Sequence, residues 1–135
     1  RVPYTTPISW RPSSATASLC MERDSRAVLW DALTAARLIG SFAAAADFER
    51  FDRDDMLRSA IERQLEILGE ALAQLAKVAP DLAARLPDAR RAIDFRNLLI
   101  HGYAVVNRQR VWAVVQNDLP KMTAAIETQI NELER

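Results

Sequence analysis

Asp54-Asp55-Met56-Leu57-Arg58-Ser59-Ala60-Ile61-Glu62-Arg63-Gln64-Leu65-Glu66-Ile67-Leu68-Gly69-Glu70-Ala71-Leu72-Ala73-Gln74-Leu75-Ala76-Lys77-Val78-Ala79-Pro80 decides the fold class. Its apolar residues Leu57, Ile61, Leu65, Leu68, Leu72, Leu75 and Ala79 recur in steps of three and four, which draws one buried stripe along an α-helix. Asp54 and Asp55 are acids suited to a helix N-terminus, and Pro80 stops the run. Gly69 in the middle costs about 1 kcal/mol of helix propensity relative to alanine. The expected return is the close approach of a neighbouring helix.

The same period extends outward on both sides. Upstream, Val28, Ala32, Ala35, Ile39, Phe42 and Ala46 mark a first helix over roughly 22–46. Its run Ala43 to Ala46 suggests tight helix packing. A charged connector, Asp47 to Asp54, holds Phe48 and Phe51 and reads as a short turn capping the core. Downstream, a third helix is predicted from about Asp88 to His101, with Gly102 as its left-handed C-terminal residue. A fourth starts near Asn107 and carries Val111, Trp112, Val114 and Val115. Pro120 is expected to interrupt it, with Asn117 or Asp118 capping a final helix that ends near Arg135. No segment alternates with period two over a useful length. The chain therefore reads as all-α, an antiparallel four- to five-helix bundle with short connections.

Composition narrows the function classes. The 135 residues carry 18 basic and 18 acidic side chains, and half are apolar, which describes one globular domain able to bury a core. No apolar run approaches the roughly 18 residues of a membrane span. One cysteine, Cys20, cannot form an internal disulfide, and with one histidine it leaves too few soft ligands for a structural zinc site. A cytoplasmic protein without metal or cofactor is expected. Residues 1–20 hold Pro3, Pro7 and Pro12 with no acid, and are read as a disordered or non-native extension ahead of a helical domain over 21–135. Between Arg85 and Arg110, Arg85, Arg90, Arg91, Arg96, Arg108 and Arg110 face only Asp88 and Asp94. This basic window fits a phosphate-bearing partner such as RNA, and a solvated helix face equally well.

Within that window lies Ile93-Asp94-Phe95-Arg96-Asn97-Leu98-Leu99-Ile100-His101-Gly102-Tyr103. Polar groups so close to apolar ones are costly unless they meet each other or a ligand. On an ideal helix Asp94, Asn97 and His101 share one stripe, whereas Arg96 and His101 stand about 140° apart. Either the helix distorts at its end or the site is completed by a second copy of the chain. These residue types suit cleavage of an RNA phosphodiester. The substrate supplies its own nucleophile, the 2′-hydroxyl; histidine can move a proton as acid or base, and arginine can hold the transition-state charge. Asparagine can orient either group, and tyrosine can stack on a base or bond a phosphate. A blander reading stands beside this one: Arg96 pairs with Asp94 or with an acid on another helix, and His101 is structural. Arg63 with Glu66 or Glu70 could reach the cleft or form exposed helical ion pairs. Arg90 and Arg91 could steer RNA or be solvated, and Trp30 and Trp112 are expected as core or dimer-interface anchors.

Arg96-Asn97-Leu98-Leu99-Ile100-His101-Gly102-Tyr103 resembles the arginine, four residues, histidine, one residue, tyrosine motif of HepT-like toxins in the HEPN superfamily. Ile61 to Ala71 looks like the second-helix signature of that family, and Val111-Trp112 and Asp118-Leu119-Pro120 recur at the expected places, so the likeness covers about 21–135. The resemblance implies a homodimeric bundle with motif residues of both copies lining one cleft. It implies a metal-independent endoribonuclease acting as toxin of a type VII toxin–antitoxin pair. Its antitoxin would be an MNT-type, MntA-like nucleotidyltransferase that transfers AMP to the motif tyrosine. Carried over, Arg96 and His101 are the catalytic pair, Asn97 and Asp94 support them, and Tyr103 is the modification site. Arg90, Arg91 and Arg63 remain candidates for RNA binding. The alternatives are a non-catalytic HEPN binding module and a substrate-binding subunit of a nucleotidyltransferase.

Overall fold

The computed structural model describes residues 14–101 and 107–135, with side chains from residue 25 onward. Among the described residues every regular element is helical. Helix α1 (Ser14–Ala43) starts upstream of the predicted boundary and ends three residues before it. It buries Val28, Leu29, Ala32, Leu33, Ala35, Ala36, Ile39 and Ala43, a broader stripe than the one read from single steps of three and four. That breadth follows from α1 packing along two neighbours, α3 and α7.

The charged connector is a short helix, α2 (Phe48–Arg53), whose N-cap Asp47 accepts the Arg50 N–H at 2.8 Å. Its Phe51 is fully buried, with its ring 5.1 Å from that of Trp112. Helix α3 (Asp55–Val78) begins where the acids placed it, with Asp54 accepting the Leu57 N–H at 3.0 Å. Ile61, Leu65, Leu68, Leu72 and Leu75 fill the core as the stripe predicts. Pro80 ends α3 and opens a one-turn helix, α4 (Pro80–Ala84), that periodicity did not reveal.

Helix α5 (Ala89–His101) follows. Asp88 precedes it at a positive φ of 58°, a conformation aspartate tolerates, and its carbonyl accepts the Ala92 N–H at 3.0 Å. After residues 102–106, which include the expected left-handed Gly102 and lie outside the described residues, Asn107 caps α6 (Arg108–Ala113). Its side chain accepts the N–H groups of Gln109 and Arg110 at 2.9 and 3.3 Å.

The expected break at Pro120 is overturned. A wide π turn over Val114–Asp118 joins α6 directly to α7 (Leu119–Leu133), and the Leu119 N–H bonds back to the Val114 carbonyl. Asp118 does hold the position ahead of α7, with Pro120 in the first turn, but its backbone is helical and its side chain makes no capping hydrogen bond. Proline lacks the N–H of an ordinary helical turn and crowds the carbonyl four residues back. Widening the turn just ahead of the ring absorbs both defects without ending the rod.

Four long rods result: α1, α3, α5 and the α6–α7 unit, with α2 and α4 as short caps. Arg26 of α1 donates to the Leu133 carbonyl at 3.1 Å, and Arg37, further along, meets Glu127 at 3.2 Å. The order is reversed, so α1 and α7 run antiparallel. Between α5 and the last rod lies a cavity of about 410 Å³, floored by Leu65, Leu68, Phe95 and Met122. Phe51→Ala should destabilise the fold by about 3–5 kcal/mol in urea unfolding, whereas Met56→Ala, at an 83% exposed position, should change stability by no more than about 0.5 kcal/mol.

Candidate active site

The site begins with a backbone contact. A β-carbon on Gly69 would collide with Arg96 Cβ and stand 3.1 Å from both the Ala92 carbonyl oxygen and Arg96 Cγ. Glycine at 69 therefore lets α5 lie against α3, the close approach expected from its position. The contact fixes where Arg96 leaves its helix. Its side chain is only 20% exposed and runs along α3 to Glu70, the residue after the glycine, where Nη1 meets Oε2.

The other edge of the guanidinium is held by the next residue along α5. Asn97 Oδ1 accepts Arg96 Nε at 3.2 Å and Nη2 at 2.6 Å. Arginine has five N–H donors. Three are engaged here, which leaves one on each Nη without a partner among the described residues. Of the pairings open to Arg96, the one formed is with an acid on another helix. Asp94 faces Arg90 instead, at 3.9 Å across one exposed helical turn.

Asp94, Asn97 and His101 share the exposed stripe that spacing places them on, with His101 the last residue of α5. Arg96 reaches across to Glu70 of α3 while bonding Asn97 on that stripe, and among the described residues no hydrogen bond joins the arginine to His101. Tyr103 lies outside the described residues. Arg91 stands 3.8 Å from Asp88 and 3.9 Å from Asp118, on the rim of the cavity beside α5. Arg90 is exposed. Arg63 pairs with Glu66 at 3.2 Å on the surface of α3, the blander of the two readings, while Glu70 on the same stripe reaches Arg96. Among the described residues no group of three or more metal-ligating side chains converges, and no helix is long and apolar enough to cross a membrane.

Arg58, which sequence reading passed over, and Arg108, read there only as part of the basic window, tie the neighbouring elements together. Arg58, 13% exposed, donates to the Asp52 carbonyl at 2.8 Å and the Phe51 carbonyl at 3.4 Å, and pairs with Asp55. Arg108 donates to the Asp52 carbonyl at 3.0 Å and its carboxylate at 3.1 Å. The C-terminal carbonyls of α2 are thereby satisfied, and the start of the last rod is anchored. The only sequence signal was arginine near an acidic connector. Beside them Glu62 is partly buried, and burial raises its carboxyl above the usual range. Glu66 adds to that effect, and the attraction of Arg58 and Arg108 does not cancel it.

An all-α bundle with an arginine held between two helices and a histidine at a helix end fits the helical fold that the sequence resemblance implies. The family model described as "Ribonuclease HepT-like" matches residues 32–129. A proposed RNase of Methanocaldococcus jannaschii, MJ1380, is 32% identical over 108 residues, covering 78% of this chain and 96% of that protein. A second from the same organism, MJ0125, is 30% identical over 113 residues, covering 84% and 97%. A Thermococcus cleftensis protein named as a probable ribonuclease HepT is 32% identical over 107 residues, covering 79% and 96%. No solved structure matches the chain. The chain belongs to the HepT-like ribonuclease family of the HEPN superfamily.

Two measurements probe this framework. Gly69→Ala should cost about 1–3 kcal/mol in denaturant unfolding, because α5 must shift. Gly40→Ala, in α1 with nothing within 4 Å of the added carbon, should instead stabilise by about 0.5–1 kcal/mol. Because the folded state raises the Glu62 carboxyl, it favours the protonated form, and that contribution is lost as pH rises through the folded value. Glu62→Gln should therefore raise the thermal midpoint at pH 7, with the gain shrinking as pH falls and vanishing below the unfolded glutamate value of about 4.3.

Proposed function

We propose that this protein is a metal-independent endoribonuclease and the toxin of a type VII toxin–antitoxin pair. The observation that carries the reading is the state of Arg96. Its guanidinium is held by acceptors on two helices yet keeps one N–H on each terminal nitrogen for a ligand. Guanidinium donors left open in this way can bond phosphate oxygens. Family membership supports RNA as the phosphate's source.

In the proposed reaction the 2′-oxygen attacks phosphorus while the bond from phosphorus to the 5′-oxygen breaks. The 2′-hydroxyl proton passes to a base, and a proton is delivered to the departing 5′-oxygen. A 2′,3′-cyclic phosphate and a 5′-hydroxyl result. His101, exposed at the end of α5, moves one of those protons, and Arg96 stabilises the charge on the pentavalent phosphorus. Asn97 holds the arginine and Asp94 supports the polar stripe. Since Arg96 leans onto α3 while His101 faces outward, we propose a homodimer in which a second copy completes the cleft. Arg90 and Arg91 line the approach for RNA, and Arg63 extends the same charged surface on α3.

The antitoxin in this proposal is an MNT-type nucleotidyltransferase, and Tyr103, two residues beyond His101, accepts its AMP. An adenylyl group there would place a bulky anion beside the cleft and repel phosphates. Purified protein shown by mass spectrometry to lack AMP should cleave total RNA in excess EDTA and leave cyclic-phosphate ends. His101→Ala and Arg96→Ala should each lower the rate about 100-fold or more. Intact RNA from folded, unmodified protein would contradict the nuclease and favour a non-catalytic binding module.

A further inference from the structure

We propose that Glu70 of α3 is the positioning residue for Arg96, setting the guanidinium so that its remaining N–H groups meet the scissile phosphate. The proposal rests on the nuclease reading of Arg96 and adds to it a residue from a second helix. Three observations carry it. Gly69 brings α5 so near to α3 that Arg96 must run along the helix surface rather than out into solvent. Glu70, the next residue, meets the guanidinium where it arrives. Asn97 takes Nε and Nη2, so Glu70 is what restrains Nη1 and with it the rotation of the plane.

Held by Asn97 alone, the group could still pivot about that single oxygen. Acceptors on two different helices remove the freedom, and catalytic electrostatics depend on donors fixed before charge develops. Stability does not account for the pair, since Glu70 is more than half exposed and ion pairs of that kind add little to folding. A carboxylate beside a phosphate-binding arginine also has an opposite reading: it competes with the substrate and restrains the enzyme. The two readings differ in the sign of the effect when Glu70 is removed.

The test compares Glu70→Ala and Glu70→Gln with the wild type in steady-state cleavage of an RNA oligonucleotide. A parallel measurement follows the Arg96 Nε–H signal in ¹⁵N-labelled protein, assigned through Arg96→Lys. Positioning predicts that Glu70→Ala lowers kcat about tenfold or more with KM nearly unchanged. It predicts that Glu70→Gln, which keeps an acceptor and loses the charge, retains most of the activity. Thermal midpoints should match, and the Nε–H signal should persist in Glu70→Gln and broaden in Glu70→Ala. Unchanged or faster cleavage by Glu70→Ala overturns the proposal, the faster case showing Glu70 to be a competitor. An inert wild type defeats the nuclease reading and the catalytic purpose of Glu70 with it. An unaltered Nε–H signal in Glu70→Ala then shows separately that Glu70 does not hold the arginine.

Discussion

The contact between the backbone of α5 and Gly69 of α3 is the constraint on which the site depends. With any side chain at 69, the added carbon would stand against Arg96 Cβ and the Ala92 carbonyl, and α5 would be levered outward. Long charged side chains on a helix surface normally sample many rotamers, and ordering them is costly. Here the neighbouring helix removes most of that freedom before any hydrogen bond forms. The glutamate after the glycine and the asparagine after the arginine then complete the restraint. Packing and chemistry meet at one pair of residues, and the helix-propensity cost of a mid-helix glycine is the counterpart of that precision.

The rest of the bundle keeps α5 in place without enclosing it. α1 is buried along a broad face because it packs against both α3 and α7. α2 and its buried Phe51 close one end, and Arg58 and Arg108 secure its last carbonyls to α3 and α6. The rod after residues 102–106 thus starts from an anchored position, and the π turn carries it past Pro120 as one piece. α5 keeps an open side, its exposed stripe of Asp94, Asn97 and His101, next to a cavity rimmed by charges of both signs.

Much of this was legible in the residues. The period of α3, its Asp54 cap, its end at Pro80 and the meaning of Gly69 all follow from local rules that tertiary structure did not override. The start of a fourth helix near Asn107 and the shared stripe of Asp94, Asn97 and His101 follow likewise. What was not legible depended on contacts between elements. A proline reads locally as a helix break, and only packing on both sides favours a π turn over an end. The rest of the α1 stripe needed knowledge that two helices flank it. Several acids stood within reach of Arg96 by spacing. Glu70 is selected because helix crossing at Gly69 brings that acid alongside, and no one-dimensional pattern records a crossing point.

The account rests on Arg96 presenting its two free N–H groups to a phosphate while Glu70 and Asn97 hold it. A crystal structure of the His101→Ala protein with an RNA oligonucleotide bearing a 2′-deoxy residue at the cleavage position tests this most directly. The account predicts that the phosphate after that residue lies on the Arg96 terminal nitrogens, with the contacts to Glu70 and Asn97 intact. A phosphate seated instead among Arg91, Arg110 and Lys121 at the cavity rim, leaving Arg96 unengaged, would contradict it.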